Sequence, residues 1–423
     1  MTPGARLAAA IEVLTEIFAR AAAADRVLVG WGRAHRFAGS KDRAAIADRT
    51  YTVLRRRNEC ADRMGDESPR ALVIGSLAVA DHLHVDAIDA LLQDGTHAPG
   101  AMTVDERQAL ERRRAAPTEP WTRLNYPQWL HDELSYSFGA RLEDEIAALN
   151  ARAPLDLRVN ALRARRDGVL AELARDGIEA QACRYAPMGL RVAAGIDAKI
   201  TALDAYQTGR VEIQDEASQI AVLLSGAKGG DTVIDLAAGG GGKSLALAAM
   251  MQNKGRIIAC DVDAARLAPL GARAERAGAM IVENGGDPYA LPTPASGADI
   301  VFVDAPCSSS GTWRRNPEAK WTLTSERLGA YRSAQVRLLD RAAELCAPRG
   351  RIVFATCSVL PSEGREQIEA FLARHAEWQV KPVVDLWLAQ ERREPPRGLG
   401  KTALLTPAQD GTDGFFCAVL ARR

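Results

Sequence analysis

The sequence predicts an α/β protein whose main element is an open, mostly parallel sheet with helices on both faces, preceded by an all-helical region and a small α+β module. Three observations predict it. From about Gly209 onward, apolar strand-like runs alternate with amphipathic helical runs, the pattern of a parallel sheet covered on both sides. Residues 1–116 instead carry apolar side chains at three- and four-residue spacing, with almost no strand-like alternation. Between these regions, "PTEP" at Pro117–Pro120 is a linker signal. Residues 120–208 then hold a helical stretch and "LDLRVNALRARRDGVLAELARDGIEAQACRYAPMGLRV", which reads strand, helix, strand, strand.

Taken in order, the helical region contains "GSKDRAAIADRTYTVLRRRNE", with Ser40 as the expected N-cap ahead of Asp42. The run Arg55, Arg56, Arg57 at its end reads as a solvated helix terminus complementing the helix dipole, in preference to a phosphate-contacting face. In the α+β module Arg158, Arg163, Arg165 and Arg166 make the surface locally basic. Such local faces matter because the whole chain is balanced, with 54 Lys plus Arg against 54 Asp plus Glu, and its net charge attracts no polyanion. At 423 residues, 47% hydrophobic and 26% charged, the chain suits two or three globular domains. Its seven cysteines are an odd number without metal-ligand spacing, which suits a reducing compartment. Glu12, Glu16 and Arg20 interrupt the amino-terminal apolar run, so neither a signal peptide nor a membrane span is expected. A cytoplasmic protein without a membrane partner is the simplest expectation.

The sheet region opens with "VIDLAAGGGGKSLALAAMM", Val233 to Met251. A phosphate-binding loop of the Gly-x-x-x-x-Gly-Lys-Ser type needs glycine where this chain has Ala237, so ATP hydrolysis is disfavoured. The alternative is the first crossover of a Rossmann-like sheet. Asp235 ends the first strand, the glycines let backbone approach a ligand, and an acid at the end of the next strand accepts bonds from a ribose. Asp261, in "RIIACDVDAARL", lies about 20 residues beyond Gly239 and supplies that acid, while Asp263 can cap the following helix. The ligand class is a nucleoside-containing cofactor, with a dinucleotide and S-adenosylmethionine both open at this point.

"ADIVFVDAPCSSSGTWRRNPEAKW" places Asp304 and Cys307 at the carboxyl end of another buried strand, and "GRIVFATCSVLPSEGREQIEAFL" places Cys357 at the end of the next. Ligands of open α/β sheets bind beyond the carboxyl ends of strands, so neighbouring strand ends would bring both thiols to the cofactor. Cys260, Cys346 and Cys417 read as small buried hydrophobes.

"DAPCSSSG" together with "TCS" resembles the motif pair of RNA cytosine-5 methyltransferases of the Sun/RsmB and NOL1/NOP2 type. "DLAAGGGGK" is similar to that family's D-x-x-A-A-P-G-G-K loop, "RRNPEAKW" to its Arg-Arg-x-Pro-x-x-Lys-Trp tail, and "QDEASQIAV" to its entry segment. The helical region with "KDRAAIADRTYTVLRRRN" resembles a NusB-like RNA-binding domain. The chain departs from the pattern where Gly239 and Gly240 replace Ala-Pro, Ala237 replaces a frequent Cys, and Gly364 replaces Asn.

The resemblance implies a NusB-like domain over 1–116, an α+β RNA-binding module over 120–208 and a Rossmann-like catalytic domain over 209–423. It implies S-adenosylmethionine as cofactor, met by Ala237, Ala238, Gly239, Gly240, Gly241, Gly242, Lys243, Asp261, Asp287 and Asp304. It implies Cys357 as the nucleophile that adds to carbon 6 of cytosine and Cys307 as the thiol assisting product release. The reverse assignment of the two is the runner-up. Asp304 would hydrogen-bond the base edge, and Arg314, Arg315 and Lys320 would hold flanking phosphates unless they belong to a solvated loop. The substrate is expected to be small-subunit ribosomal RNA and the protein a monomer. The competing function is an RNA-binding assembly factor with a silent catalytic domain.

Overall fold

The structure, a computed structural model, describes residues 1–112, 117–195, 199–283, 286–391 and 393–423. It divides into two compact units, Met1–Asn150 with Trp313–Thr324, and Ala151–Thr312 with Ser325–Arg423. Among the described residues no helix is long and apolar enough to cross a membrane.

The first unit is helical, as its 3.6-residue periodicity requires. Thr2 caps the helix Pro3–Arg20 by accepting the Ala5 N–H at 3.2 Å, and proline at the first helical position needs no N–H partner. Thr103 and Glu106 form a reciprocal capping box on Val104–Glu111. The helix expected to be capped by Ser40 begins at Ser40 itself. Gly39 is its cap, and Asp42 reaches back to the Gly39 N–H at 3.1 Å. Val13, Leu14, Ile17, Ile46, Val53, Leu54, Leu72 and Ile74 form one buried core.

The boundary between units lies beyond residue 116. Helices within 120–150 pack with the first unit because Asn58 donates to the carbonyls of Trp121 and Tyr126, each at 2.9 Å, while Tyr126, Leu130 and Leu134 are fully buried. The segment Trp313–Thr324 also belongs here. The Trp321 indole N–H donates to the Leu54 carbonyl at 2.6 Å, and the Glu318 carboxylate accepts the Ala24 N–H at 3.1 Å. Arg57 stacks on Phe18 and Trp321 and pairs with Glu67 at 2.7 Å, so this arginine is held inside the unit's own packing.

The second unit carries two sheets. The smaller is antiparallel, formed by β1 (Leu155–Val159), β2 (Ala180–Ala182), β3 (Gly189–Val192) and β4 (Val211–Ile213) in the order β2-β3-β1-β4. Strand β4 closes this sheet from beyond residue 208, so the module extends past its expected end.

The larger sheet contains β5 (Thr232–Asp235), β6 (Arg256–Ala259), β7 (Val282–Glu283), β8 (Ala298–Asp304), β9 (Cys346–Thr356), β10 (Trp378–Lys381), β11 (Ala403–Leu405) and β12 (Phe415–Arg422). Its order is β10-β12-β9-β8-β5-β6-β7, with β11 beside β12. Strands β5 to β9 pair in parallel, and β12 runs antiparallel to β9. Val233, Ile234, Val301, Phe302, Val353 and Phe354 are fully buried, the signature of a parallel sheet covered on both faces. The winding reverses at β5, which has β6 on one side and β8 on the other. The carboxyl ends of β5 and β8 therefore flank the topological switch point where such sheets bind ligands.

Candidate active site

Four strand ends build the site. Beyond β5 comes the glycine loop, entered through Asp235. That carboxylate is fully buried, accepts the Ser244 hydroxyl at 2.6 Å, and leaves Oδ1 buried without a partner among the described residues. Burial pushes its pKa up to about 7. The loop turns through positive φ at Gly239 (52°) and Gly241 (80°), and the Gly241 N–H donates to the Ala238 carbonyl at 2.8 Å. At φ 80° a side chain at Gly241 would be strained, and its Cβ would also press on the Leu270 side chain, so the position favours glycine. Gly241 caps the helix Gly242–Met250, which turns N–H groups toward the switch point.

Asp261 follows β6, as its spacing predicts, but it is 2% exposed. Its Oδ2 accepts the Gly239 N–H and its Oδ1 the Asp263 N–H, both at 2.9 Å. The carboxylate therefore shapes the glycine loop directly, and Asp263 caps the next helix by accepting the Ala265 N–H at 2.9 Å. Asp287 is exposed and accepts the Tyr289 N–H at 3.0 Å, as a turn residue does.

At the end of β8, Asp304 receives the Lys243 ammonium at 2.6 Å. Burial alone would lower the Lys243 pKa, yet Asp304 and the sulfur of Cys357 outweigh it and hold the lysine above its ordinary value. Beyond Asp304 the chain brings Cys307 to Cys357, which follows β9, with the two sulfurs 3.4 Å apart. Their surroundings differ. The Cys357 pKa is lowered, first by the hydrogen bond from Cys307 and further by Ser309 and Lys243, against burial and Asp304. The Cys307 pKa is raised well above its ordinary value, first by its bond to Cys357, then by burial and by the charges of Cys357 and Glu363. Between them Ser309, at φ 57°, holds its hydroxyl 3.6 Å from the Cys357 sulfur; a non-glycine residue there is strained. The other five cysteines are buried, and burial drives Cys260, Cys346 and Cys417 up to about 12, as inert core thiols.

Sequence reading missed the support beneath the thiols. Glu363 is fully buried and accepts the Ser308 N–H at 2.9 Å, the Ser308 hydroxyl, the Ser358 hydroxyl at 2.7 Å and the Gln335 amide at 3.2 Å. Ser308 and Ser358 are the neighbours of the two cysteines, so one carboxylate ties both turns together. Gly311 completes the junction, donating to the Cys357 carbonyl at 3.0 Å. A Glu six residues after Cys357 was the available signal, but nothing in its spacing pointed inward.

Of the three residues expected on flanking phosphates, Lys320 needs correction. Lys320 is fully buried in the first unit, where its ammonium donates to the Asn125 carbonyl at 2.7 Å and the Asn150 side chain at 2.5 Å. It lies 4.9 Å from the Trp321 ring centroid, and burial pushes its pKa well below the ordinary value. A phosphate cannot reach it. Arg314 is 6% exposed and Arg315 half-buried, which also removes the solvated-loop alternative for Arg314.

A family profile described as 16S rRNA methyltransferase RsmB/F matches residues 221–421, and one for the ferredoxin-like domain of RsmF/B-like methyltransferases matches residues 126–199. The chain is 32% identical over 308 residues to ribosomal RNA small subunit methyltransferase B of Pseudomonas syringae pv. tomato, covering 72% of this chain and 67% of that protein. Among solved structures, the protein designated PH0851 superimposes with a TM-score of 0.77 at 26% identity, over 100% of this chain and 99% of the other. A methyltransferase homologue from Pyrococcus horikoshii gives 0.60 at 26% identity, over 72% and 97%. The cofactor is S-adenosylmethionine, and the chain fits it: a loop whose positive φ at Gly241 favours glycine, helix N–H groups aimed at the switch point, and a buried Asp235 oxygen that finds no hydrogen-bond partner among the described residues. Fold, thiol pair and relatives agree, and the chain belongs to the RsmB/F family of 16S rRNA methyltransferases.

Proposed function

We propose that the chain methylates carbon 5 of a cytosine in small-subunit ribosomal RNA, working in the cytoplasm as a monomer, with Cys357 as nucleophile and Cys307 assisting release. The observation that carries this reading is the thiol pair 3.4 Å apart at two neighbouring strand ends, whose shared hydrogen bond favours the Cys357 thiolate and the Cys307 thiol. Carbon 5 of cytosine is too weak a nucleophile to take a methyl group unaided. Addition of the Cys357 thiolate to carbon 6 makes carbon 5 enamine-like, and the Lys243 ammonium and the Cys307 S–H favour that thiolate beforehand. Asp304, a third exposed at the strand end, lies where the base edge would enter and supplies the hydrogen bond that offsets charge growing on the ring. S-adenosylmethionine supplies an electrophilic methyl group when bound.

Release then follows from the same pair. Once Cys357 is a thioether, the main cause holding Cys307 in its protonated form is gone, so Cys307 can ionise. It takes the proton from carbon 5, the carbon 5–carbon 6 double bond reforms, and Cys357 leaves as a thiolate. Because the target atom is hidden in a duplex, the base must be unpaired or flipped. The helical first unit reads as a NusB-like RNA-binding domain, with the α+β module and residues such as Arg315 contributing further contacts. Asp261 and Asp287 serve the ribose and adenine ends of the donor through the loop geometry they fix, beside Ala237, Ala238, Gly240 and Gly242. The test is transfer of labelled methyl from S-adenosylmethionine to small-subunit ribosomal RNA, with bisulfite sequencing of the product. Label in a cytosine supports the reading, and label in any other base overturns it.

A further inference from the structure

Four consecutive glycines, Gly239 to Gly242, give the donor loop a large backbone entropy to lose before a ligand can be held. Within the loop, Gly239 is fixed through its N–H to Asp261 and Gly241 through its N–H to the Ala238 carbonyl. Gly240 is fixed from outside. Arg273, on the helix Leu270–Ala277, donates Nη1 to the Gly240 carbonyl, while its Nη2 donates to Glu212 at 2.8 Å. Glu212 is 2% exposed, sits on β4, and also holds Arg276, whose guanidinium lies 4.3 Å from the Tyr206 ring centroid. The clamping arginine is thereby braced by a buried carboxylate that is itself braced. A Cβ built on Gly240 would lie 2.9 Å from Arg273 Nη1, so the guanidinium stands in the space a side chain at 240 would need.

We propose that Arg273, braced by Glu212, is a positioning residue that holds the glycine loop in its donor-binding conformation by clamping the Gly240 carbonyl, in the place of the backbone restraint that proline would supply there. The proposal rests on the S-adenosylmethionine reading of the loop. Proline at 240 would restrict the ligand-free loop through its fixed φ; the arginine restricts it through a charge-assisted hydrogen bond. Either way the loop arrives at the donor already ordered, and the ordering cost is removed from the affinity. The proline ring and the guanidinium compete for the same space, so they are alternative devices.

The experiment compares full-length Arg273→Ala, Arg276→Ala and the double variant Gly240→Pro/Arg273→Ala with the parent. Hydrogen exchange across residues 236–243 is followed without ligand, and S-adenosylmethionine affinity is measured by calorimetry. Arg273→Ala is expected to speed exchange in the loop and weaken affinity about tenfold, the size of one hydrogen bond to a charged group. The double variant is expected to recover both. Arg276→Ala, which removes the outer of the two arginines on Glu212 without touching the loop, is expected to speed loop exchange less than Arg273→Ala does. Parental exchange in Arg273→Ala overturns the proposal. So does equal loosening by Arg276→Ala, or a loss that proline fails to restore. A parent that binds no S-adenosylmethionine defeats the cofactor reading, while ligand-free exchange still judges the clamp.

Discussion

The sulfurs of Cys307 and Cys357 lie 3.4 Å apart although 50 residues separate them in the chain. Parallel strands β8 and β9 deliver them side by side, and Glu363 locks the turns that carry them. Proximity alone would leave the thiols interchangeable. The hydrogen bond between them breaks that symmetry, helped by Ser309 and Lys243 beside Cys357, against burial and Asp304, and by burial and Glu363 beside Cys307. One sulfur is thus poised to ionise and the other to keep its proton.

The asymmetry is measurable without substrate. Cys357 should be alkylated by iodoacetamide well below the pH at which an ordinary thiol stops reacting, because its ionisation is shifted downward. Lys243→Met should move that reactivity to higher pH. Mass-spectrometric mapping of the labelled cysteine against pH checks both, and faster labelling of Cys307 would reverse the assignment of roles.

Glu363→Ala would leave the buried Ser308 N–H and two serine hydroxyls without their acceptor, at a cost of about 3 kcal/mol. Glu363→Gln keeps an acceptor and removes the charge, so it should cost less while making Cys307 easier to ionise. Denaturant unfolding measures the first effect and thiol labelling the second.

Asp235 links stability to pH. Its folded-state pKa, raised by burial to about 7, lies above that of an unfolded carboxylate. Its contribution is therefore complete below about pH 4 and is lost as pH rises through about 7. Unfolding free energy should fall by about 1 kcal/mol between pH 6 and 7 and level off at higher pH, and Asp235→Asn should flatten that slope.

Lys320 acts on folding. Lys320→Ala strips the Asn125 carbonyl and Asn150 of a buried donor and should destabilise the helical unit by roughly 2–4 kcal/mol, with unit-wide loss of hydrogen-exchange protection. A variant of parental stability with weakened RNA binding would restore the phosphate-contact reading.

Much of this arrangement is legible in the sequence because it is written in short range. Strand, glycine turn, helix and Asp261 follow one another in order, and both cysteines end apolar strands, so parallel pairing places them together. What escapes is set by long-range packing. "RRNPEAKW" looks like a polar loop, yet Trp321 and Lys320 find partners at Leu54, Asn125 and Asn150, some 170 to 270 residues away. Helices after "PTEP" join the first unit because Asn58 captures their carbonyls, which linker composition does not reveal. Glu363 and Arg273 look like surface charges in a helical text, and only the fold turns one beneath the thiols and the other onto Gly240.

The covalent step is open to direct test on a denaturing gel. The Cys307→Ala variant, incubated with S-adenosylmethionine and small-subunit ribosomal RNA, should accumulate a protein–RNA band that survives heat and detergent, whereas Cys357→Ala should give neither band nor methyl transfer. A stable band from Cys357→Ala, with none from Cys307→Ala, would contradict the assignment of Cys357 as nucleophile.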